Sequence, residues 1–233
     1  MPQTVPMKII AHIHTDFPSK FGIPRQSGLV EDLKAKIVFE PEYRQPEALR
    51  GLEGFSHLWL LWQFSKADRE TWSPTVRPPR LGGNARVGVF ATRSPYRPNA
   101  VGLSCVRLEK IDWADVQGPV LYVAGADLLD QSPIFDIKPY LAYTDAHPEA
   151  TQGFAVPFEE RRLRVSVPDG LLDGMDATRQ RALLAILEQD PRPAYQKDPE
   201  RVYKMEFAEF EIHFTVREDQ LTVCHVTGRR GPT

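Results

Sequence analysis

Phe55-Ser56-His57-Leu58-Trp59-Leu60-Leu61-Trp62-Gln63-Phe64 is a dense apolar and aromatic run. It is far shorter than the roughly 20 apolar residues that cross a bilayer, and its length suits a strand buried in a sheet. On either side the chain repeats the pattern more weakly. Lys8 to His14 sets Ile9, Ala11 and Ile13 against Lys8, Ile10, His12 and His14, and Arg86–Ala91, Val101–Ile111 and Val120–Ala126 are further short strand candidates. The spacers are rich in turn residues, among them Pro78-Pro79 and Gly82-Gly83, which are poor material for helix interiors. Only Gln45–Leu52 looks helical in this half. The first half is therefore expected to be all-β, closing or nearly closing on itself so that no sheet edge is left bare.

From Ala142 to Val156 the composition shifts to Asp, His, Pro, Glu, Thr, Gln and Gly, which reads as a linker. Beyond it, Arg161–Val167 alternates as a strand and stops at Pro168-Asp169-Gly170. A helix is expected from Asp176, its cap, to Glu188, burying Leu183, Ile186 and Leu187 and ending before Pro191. Phe207–Val216 and Leu221–Thr227 flank Arg217-Glu218-Asp219-Gln220 as a hairpin. The expected architecture is mainly β, with an N-terminal barrel domain over residues 1–145 and a small α+β domain over residues 156–233. There is no internal repeat.

The chain has 233 residues, 42% hydrophobic and 26% charged, enough for one large or two modest domains. No secretory signal or membrane span is legible, so a cytoplasmic protein is expected. Cys105 and Cys224 lie far apart in alternating segments, where they are expected to be small core residues rather than a disulfide or metal pair. The net charge of −2 argues against a protein that coats nucleic acid through bulk electrostatics. Charge is nevertheless unevenly spread. Thr71 to Leu108 contains no acid and no lysine, yet carries Arg77, Arg80, Arg86, Arg93, Arg97 and Arg107. Guanidinium groups grip phosphate or carboxylate with paired hydrogen bonds, so the stretch suits anion recognition, although a solvated arginine-rich loop has the same composition.

No glycine fingerprint follows a strand, and no phosphate loop, nucleophile elbow or paired-cysteine metal motif is present, which disfavours a Rossmann site. His12 and His14 share a strand face but lack a third ligand at a recognisable spacing, so no metal is expected. Four compact loops stand out: Pro24-Arg25-Gln26-Ser27-Gly28, Ser56-His57-Leu58-Trp59, Arg77-Pro78-Pro79-Arg80, and Ala91 to Asn99 with Arg93, Tyr96 and Arg97. Prolines beside arginines limit the freedom lost on binding, which suits a rigid anion clamp. A stiff turn whose arginines cap carbonyls reads equally well for any one of them. Asp127-Leu128-Leu129-Asp130-Gln131-Ser132-Pro133 and Asp136-Ile137-Lys138-Pro139-Tyr140 read either as polar turns closing a barrel or as carboxylates and amides around a ligand. A histidine inside an apolar strand, such as His57, is more often a hydrogen-bonded packing residue than a catalyst. Trp59, Trp62 and Phe64 have the spacing of core residues.

In these loops, in Arg50-Gly51-Leu52-Glu53-Gly54-Phe55-Ser56-His57-Leu58-Trp59, in Arg77 through Ser104 and in Gln189-Asp190-Pro191-Arg192-Pro193-Ala194-Tyr195, the sequence resembles the TrmO (TsaA-like) family over nearly its whole length. The resemblance implies a single-sheeted β-barrel that binds S-adenosylmethionine without a Rossmann framework, within a homodimer. It implies methylation of N6 of threonylcarbamoyladenosine at position 37 of tRNA, giving the N6-methyl product, with threonine tRNA as the favoured acceptor. Cofactor contacts carry over to Pro24, Arg25, Gln26, His57, Leu58, Arg93, Leu103, Leu129, Asp130, Gln131 and Ser132. Asp136, His57 and Tyr140 are the candidate proton acceptors. Arg77, Arg80, Arg86, Tyr96 and Arg97, with Arg192 and Lys197 of the second domain, are the candidate contacts to the anticodon loop. A non-catalytic cofactor-binding or RNA-binding module is the competing reading. The family's Asp-Gly-Thr-Pro is here Asp130-Gln131-Ser132-Pro133, so a glycine-type backbone at Gln131 would carry strain. Its Asn-Pro-Ile-Gly is Asn99-Ala100-Val101-Gly102.

Overall fold

The computed structural model describes residues 4–67, 72–78, 85–155, 162–192 and 198–228. The N-terminal half holds strands β1 (Ala11–His14), β2 (Lys34–Phe39), β3 (His57–Gln63), β4 (Thr75–Val76), β5 (Val87–Gly88), β6 (Val101–Asp112), β7 (Val120–Ala124) and β8 (Ser132–Pro139). Six of them close a barrel in the order β1-β2-β7-β6-β3-β8, all neighbours antiparallel, with β1 pairing both β2 and β8. β4 and β5 form a separate two-stranded ribbon. Closure leaves the six barrel strands without a free edge.

Side-chain alternation fills the barrel. Along β3, Leu58, Leu60 and Trp62 are buried, whereas His57, Trp59, Leu61 and Gln63 are not. They meet Ala11 and Ile13 of β1, Ile37 of β2, Val106 of β6, Leu121 and Val123 of β7, and Ile134 of β8. Register shifts break two pairings, between Leu61 and Trp62 against β8 and between Leu108 and Lys110 against β7. Such bulges bend strands and re-aim side chains. The short helices α1 (Pro46–Leu49) and α2 (Ala142–Asp145) lie in the connections.

The C-terminal half has β9 (Arg164–Ser166), helix α3 (Ala177–Glu188), β10 (Tyr203–Phe207), β11 (Phe210–Arg217) and β12 (Gln220–Gly228), with sheet order β10-β11-β12-β9 and β9 parallel to β12. The Asp176 carboxylate caps α3, accepting from the Thr178 and Arg179 amides at 3.0 Å each. Its buried face is Ala182, Leu183, Ile186 and Leu187. The C-terminal core also takes in Phe17, Val30 and Leu33 from the β1–β2 connection.

Several expectations need correcting. β2, β4, β8 and β10 are strands beyond those expected from the sequence, and the Asp127–Tyr140 stretch, expected either as polar turns or as carboxylates and amides around a ligand, supplies a full barrel stave in β8. Arg86–Ala91 is only a two-residue strand followed by a 3-10 turn at Val89–Ala91. Neither cysteine is in the core: Cys105 is partly exposed and Cys224 exposed, because both fall on outward positions of their strands.

Candidate active site

A cavity of about 730 Å³ opens where β3 and β6 meet the β1–β2 connection and the loop after β5. That volume is within the range of roughly 300–1,000 Å³ typical of small-molecule sites. Its apolar walls include Ile23, Trp62, Phe64, Val101, Leu103 and Leu129, and Arg25, Arg93, Arg97 and Lys20 bring cations to it. Lys20 is fixed through its ammonium to the Lys66 carbonyl. The Arg93 guanidinium donates to the Gln26 side-chain oxygen, which ties the loop after β5 to the β1–β2 connection.

The loop after β5 is shaped by its hydroxyls. Thr92 Oγ1 donates to the Val89 carbonyl at 2.8 Å and accepts the Ser94 amide at 3.2 Å, and Ser94 Oγ accepts the Tyr96 amide at 3.2 Å. The Arg97 guanidinium donates to the Thr92 carbonyl at 3.0 Å. A short, proline-flanked segment thereby holds Arg93, Tyr96 and Arg97 against one cavity wall.

Asp127 supplies the cavity's carboxylate and is half-buried there. Trp62 Nε1 donates to Ser104 Oγ at 3.0 Å, and Ser104 Oγ donates to Asp127 Oδ1 at 2.6 Å. Burial pushes the Asp127 carboxyl above the usual aspartate value, against the opposing pull of the Ser104 hydrogen bond and the Arg93 charge. Gly102, paired with Trp62 across the β3–β6 ladder, has no room for a side chain: a Cβ there would collide with the indole. The cavity thus offers flat apolar surface, one desolvated carboxylate and convergent guanidiniums. This set can hold a ligand that combines an aromatic group with both cationic and anionic ends.

The structure brings together Pro24, Arg25, Gln26, Arg93, Tyr96, Arg97, Leu103, Leu129 and Ser132 of the expected site residues. Ser132 Oγ itself donates to the Leu129 carbonyl at 2.7 Å, closing the turn before β8. Asp130 and Gln131 do not line the cavity. Asp130 accepts the Thr15 amide at 3.0 Å, and Gln131, at φ +62°, reaches the His14 ring at 2.8 Å. The strained backbone expected there is present. Leu58 is fully buried inside the barrel.

His57, Asp136 and Tyr140 lie on the barrel's outer face rather than around the cavity. The Asp136 carboxylate pairs with Lys138 at 2.8 Å, His57 Nδ1 shares a hydrogen bond with Ser56 Oγ at 2.9 Å, and Tyr140 packs beside His57 and Trp59. Leu103, 52% exposed, borders both the cavity and a hollow on that face lined by Trp59, Leu61 and Asp145. Arg77 and Arg86 are exposed on the β4–β5 ribbon. Arg192 is only 11% exposed and its guanidinium is gripped by Asp190 at 2.7 and 2.8 Å, so it belongs to the packing of the second half. Arg80 and Lys197 lie outside the described residues. His12 pairs with Glu40 at 2.9 Å, and no group of three metal-type side chains comes together among the described residues.

Sequence reasoning quoted Asp127 within a motif but did not select it, and it read Trp62 only as core. The signal for Ser104, a polar residue at an inward position of an apolar strand, was present in Val101–Ile111. What it bonds to depends on the register of β3 against β6.

Comparison with known proteins gives a consistent result. The family described as tRNA-methyltransferase O N-terminal domain matches residues 12–146, and the TrmO C-terminal domain family matches residues 171–229. The tRNA (adenine(37)-N6)-methyltransferase of Escherichia coli (strain K12) is 40% identical over 217 residues, covering 90% of this chain and 92% of that protein. A protein of Pseudomonas aeruginosa named a putative S-adenosylmethionine-dependent methyltransferase is 40% identical over 232 residues, covering 94% of this chain and 96% of its own. A crystal structure of TrmO from Pseudomonas aeruginosa superposes with a TM-score of 0.77 at 34% identity, covering 97% of this chain and all of that one.

Proposed function

Because this chain belongs to the TrmO family, we propose that it methylates N6 of threonylcarbamoyladenosine at position 37 of tRNA, threonine tRNA first among them, with S-adenosylmethionine as donor. The observation that carries the reading is the cavity itself, in which the Pro24–Gln26 loop, the Arg93 loop and the turn before β8 meet around one space. Its chemistry fits the donor. Trp62, Val101, Leu103 and Leu129 would hold the adenine ring, Asp127 would face the cationic portion, and Arg25 and Arg93 would take the carboxylate. When bound, the cofactor supplies an activated methyl group on its sulfonium.

The protein's own contribution is to position and to move a proton. Binding the partners in a fixed orientation contributes on the order of 7–11 kcal/mol to such reactions. The target nitrogen belongs to a urea-like group whose lone pair is delocalised, so its proton needs an acceptor. Asp136, His57 and Tyr140 remain the candidates. They share the outer face that adjoins the cavity at Leu103, where a base flipped out of the anticodon loop would lie. The same face leaves Trp59, Leu61 and Leu103 incompletely covered, which supports a homodimer with its sites near the subunit boundary.

For tRNA, exposed Arg77 and Arg86 lie on the ribbon next to the cavity loop and suit phosphate contacts, with Tyr96 as a stacking plane. In this reading residues 1–145 form the cofactor-binding barrel, and residues 156–233 support tRNA binding or the dimer. The deciding experiment incubates the protein with labelled S-adenosylmethionine and tRNA carrying threonylcarbamoyladenosine, then analyses the nucleosides by mass spectrometry. A labelled N6-methyl product is expected. Cofactor binding without that product would leave a non-catalytic binding module instead.

A further inference from the structure

Residues 15–33, between β1 and β2, contain no helix or strand. Connections that long without regular structure are uncommon in compact folds and are held by something else. One side of this segment is cavity wall, through Lys20, Ile23, Pro24, Arg25 and Gln26. The other side is sunk into the C-terminal half. Phe17 meets Phe207 edge-on at 5.8 Å, Phe21 stacks on Phe214 at 6.3 Å, and Val30 and Leu33 are buried in the same core.

The two ends of the segment are clamped from a single turn of α3. Arg179 donates to both Asp16 oxygens, at 3.2 and 2.9 Å, and Arg181 donates to both Asp32 oxygens, at 3.2 and 3.0 Å. The first pair is the more sheltered, with Asp16 17% exposed against 38% for Asp32. Asp16 also gives its carbonyl to the Ala208 amide at 2.7 Å. Midway, Gly22 sits at φ +95° so close to Met205 that a Cβ would collide with the thioether. The barrel half holds the segment through separate hydrogen bonds and no ion pair among the described residues: Gly28 N to the Gly125 carbonyl at 2.9 Å, the Cys105 amide to Ser27 Oγ at 3.0 Å, the Lys20 ammonium to the Lys66 carbonyl and the Arg93 guanidinium to Gln26.

We propose that the C-terminal half is a positioning element of the cofactor pocket, with Arg179 as its principal positioning residue: from outside the cavity it holds the 20–26 wall in the binding geometry without touching the ligand. The inference deepens the reading of the cavity as a S-adenosylmethionine site and rests on it. A pocket whose wall is in place only part of the time binds with an affinity reduced by that fraction. Bidentate, partly buried ion pairs are among the stronger means of keeping it in place.

The test measures two quantities on the full-length protein: S-adenosylmethionine affinity by calorimetry, and amide hydrogen exchange of residues 16–32 without ligand. Arg179→Gln should weaken affinity about tenfold and speed exchange in 16–32, while β3 and β6 keep their protection. Arg179→Lys should recover most of the affinity. Arg181→Gln, at the more exposed pair, should have the smaller effect of the two glutamine variants. If Arg179→Gln does not fold, Phe21→Leu, which keeps bulk but loses the ring stack, serves the same comparison. Faster exchange in 16–32 with wild-type affinity would overturn the inference, as would weakened affinity with unchanged exchange. A wild-type protein that takes up no S-adenosylmethionine would overturn the cofactor reading beneath it, and would be seen in the unmutated control alone.

Discussion

Asp127 is half-buried beside an apolar cavity, where it accepts the Ser104 hydroxyl and backbone hydrogen bonds, one of them from Ser27, with the Arg93 charge nearby. Burial raises its proton affinity relative to the unfolded chain. The folded state therefore binds the proton more tightly, and stability falls as pH rises from the ordinary aspartate range through the elevated folded value, beyond which the full penalty persists. Asp127→Asn keeps an acceptor for Ser104 but cannot ionise. Its melting temperature should exceed that of the wild type at neutral pH, and the gap should shrink as pH drops below the usual aspartate range. The same change should weaken S-adenosylmethionine binding about tenfold or more, measured by calorimetry. Parallel melting curves across pH would show that the carboxylate is not penalised, and unchanged affinity would show that it does not face the ligand. Gln131 presents a related compromise, since its left-handed backbone costs about 1 kcal/mol or more and is offset in part by the bond to His14.

Between strands, the β3–β6 ladder is the element on which the site depends. Gly102→Ala would push on the Trp62 indole, and with it on the Trp62–Ser104–Asp127 chain. Overpacking of this kind costs about 1–3 kcal/mol, and denaturant unfolding should register that loss together with weaker cofactor binding. A fully stable variant with normal affinity would mean that the ladder shifts freely at this point. β1 was legible from its alternation, and β3, β6 and β7 as short runs rich in apolar and β-branched residues between turn-forming spacers. β8 was not: Pro133, Asp136, Lys138 and Pro139 give it the composition of a turn, and it is a strand because β1 and β3 pair with it on both sides. β2 was hidden by Lys34, Ala35 and Lys36, whose inward member is the small Ala35. The helix α3 and its cap were readable, since helix signals are local. For the same reason the arginine and proline loops of the site could be picked out from sequence. The Asp127 chain links three segments through strand register and could not.

At the scale of the whole chain, a net charge of −2 coexists with an acid-free arginine stretch. If that stretch meets tRNA phosphates, binding should weaken steeply with salt. Arg77→Ala and Arg86→Ala should each lower the slope of log affinity against log salt by about 0.7–0.9, in filter-binding titrations. An unaltered slope in both would assign the ribbon to another task. Finally, Phe17, Val30 and Leu33 are encoded early in the chain, yet they are sealed by residues beyond 160. Excising the later half would bare them, at roughly 1.5–3 kcal/mol for each large side chain. A barrel trimmed to stand by itself would carry that scar unless new residues were grafted over it.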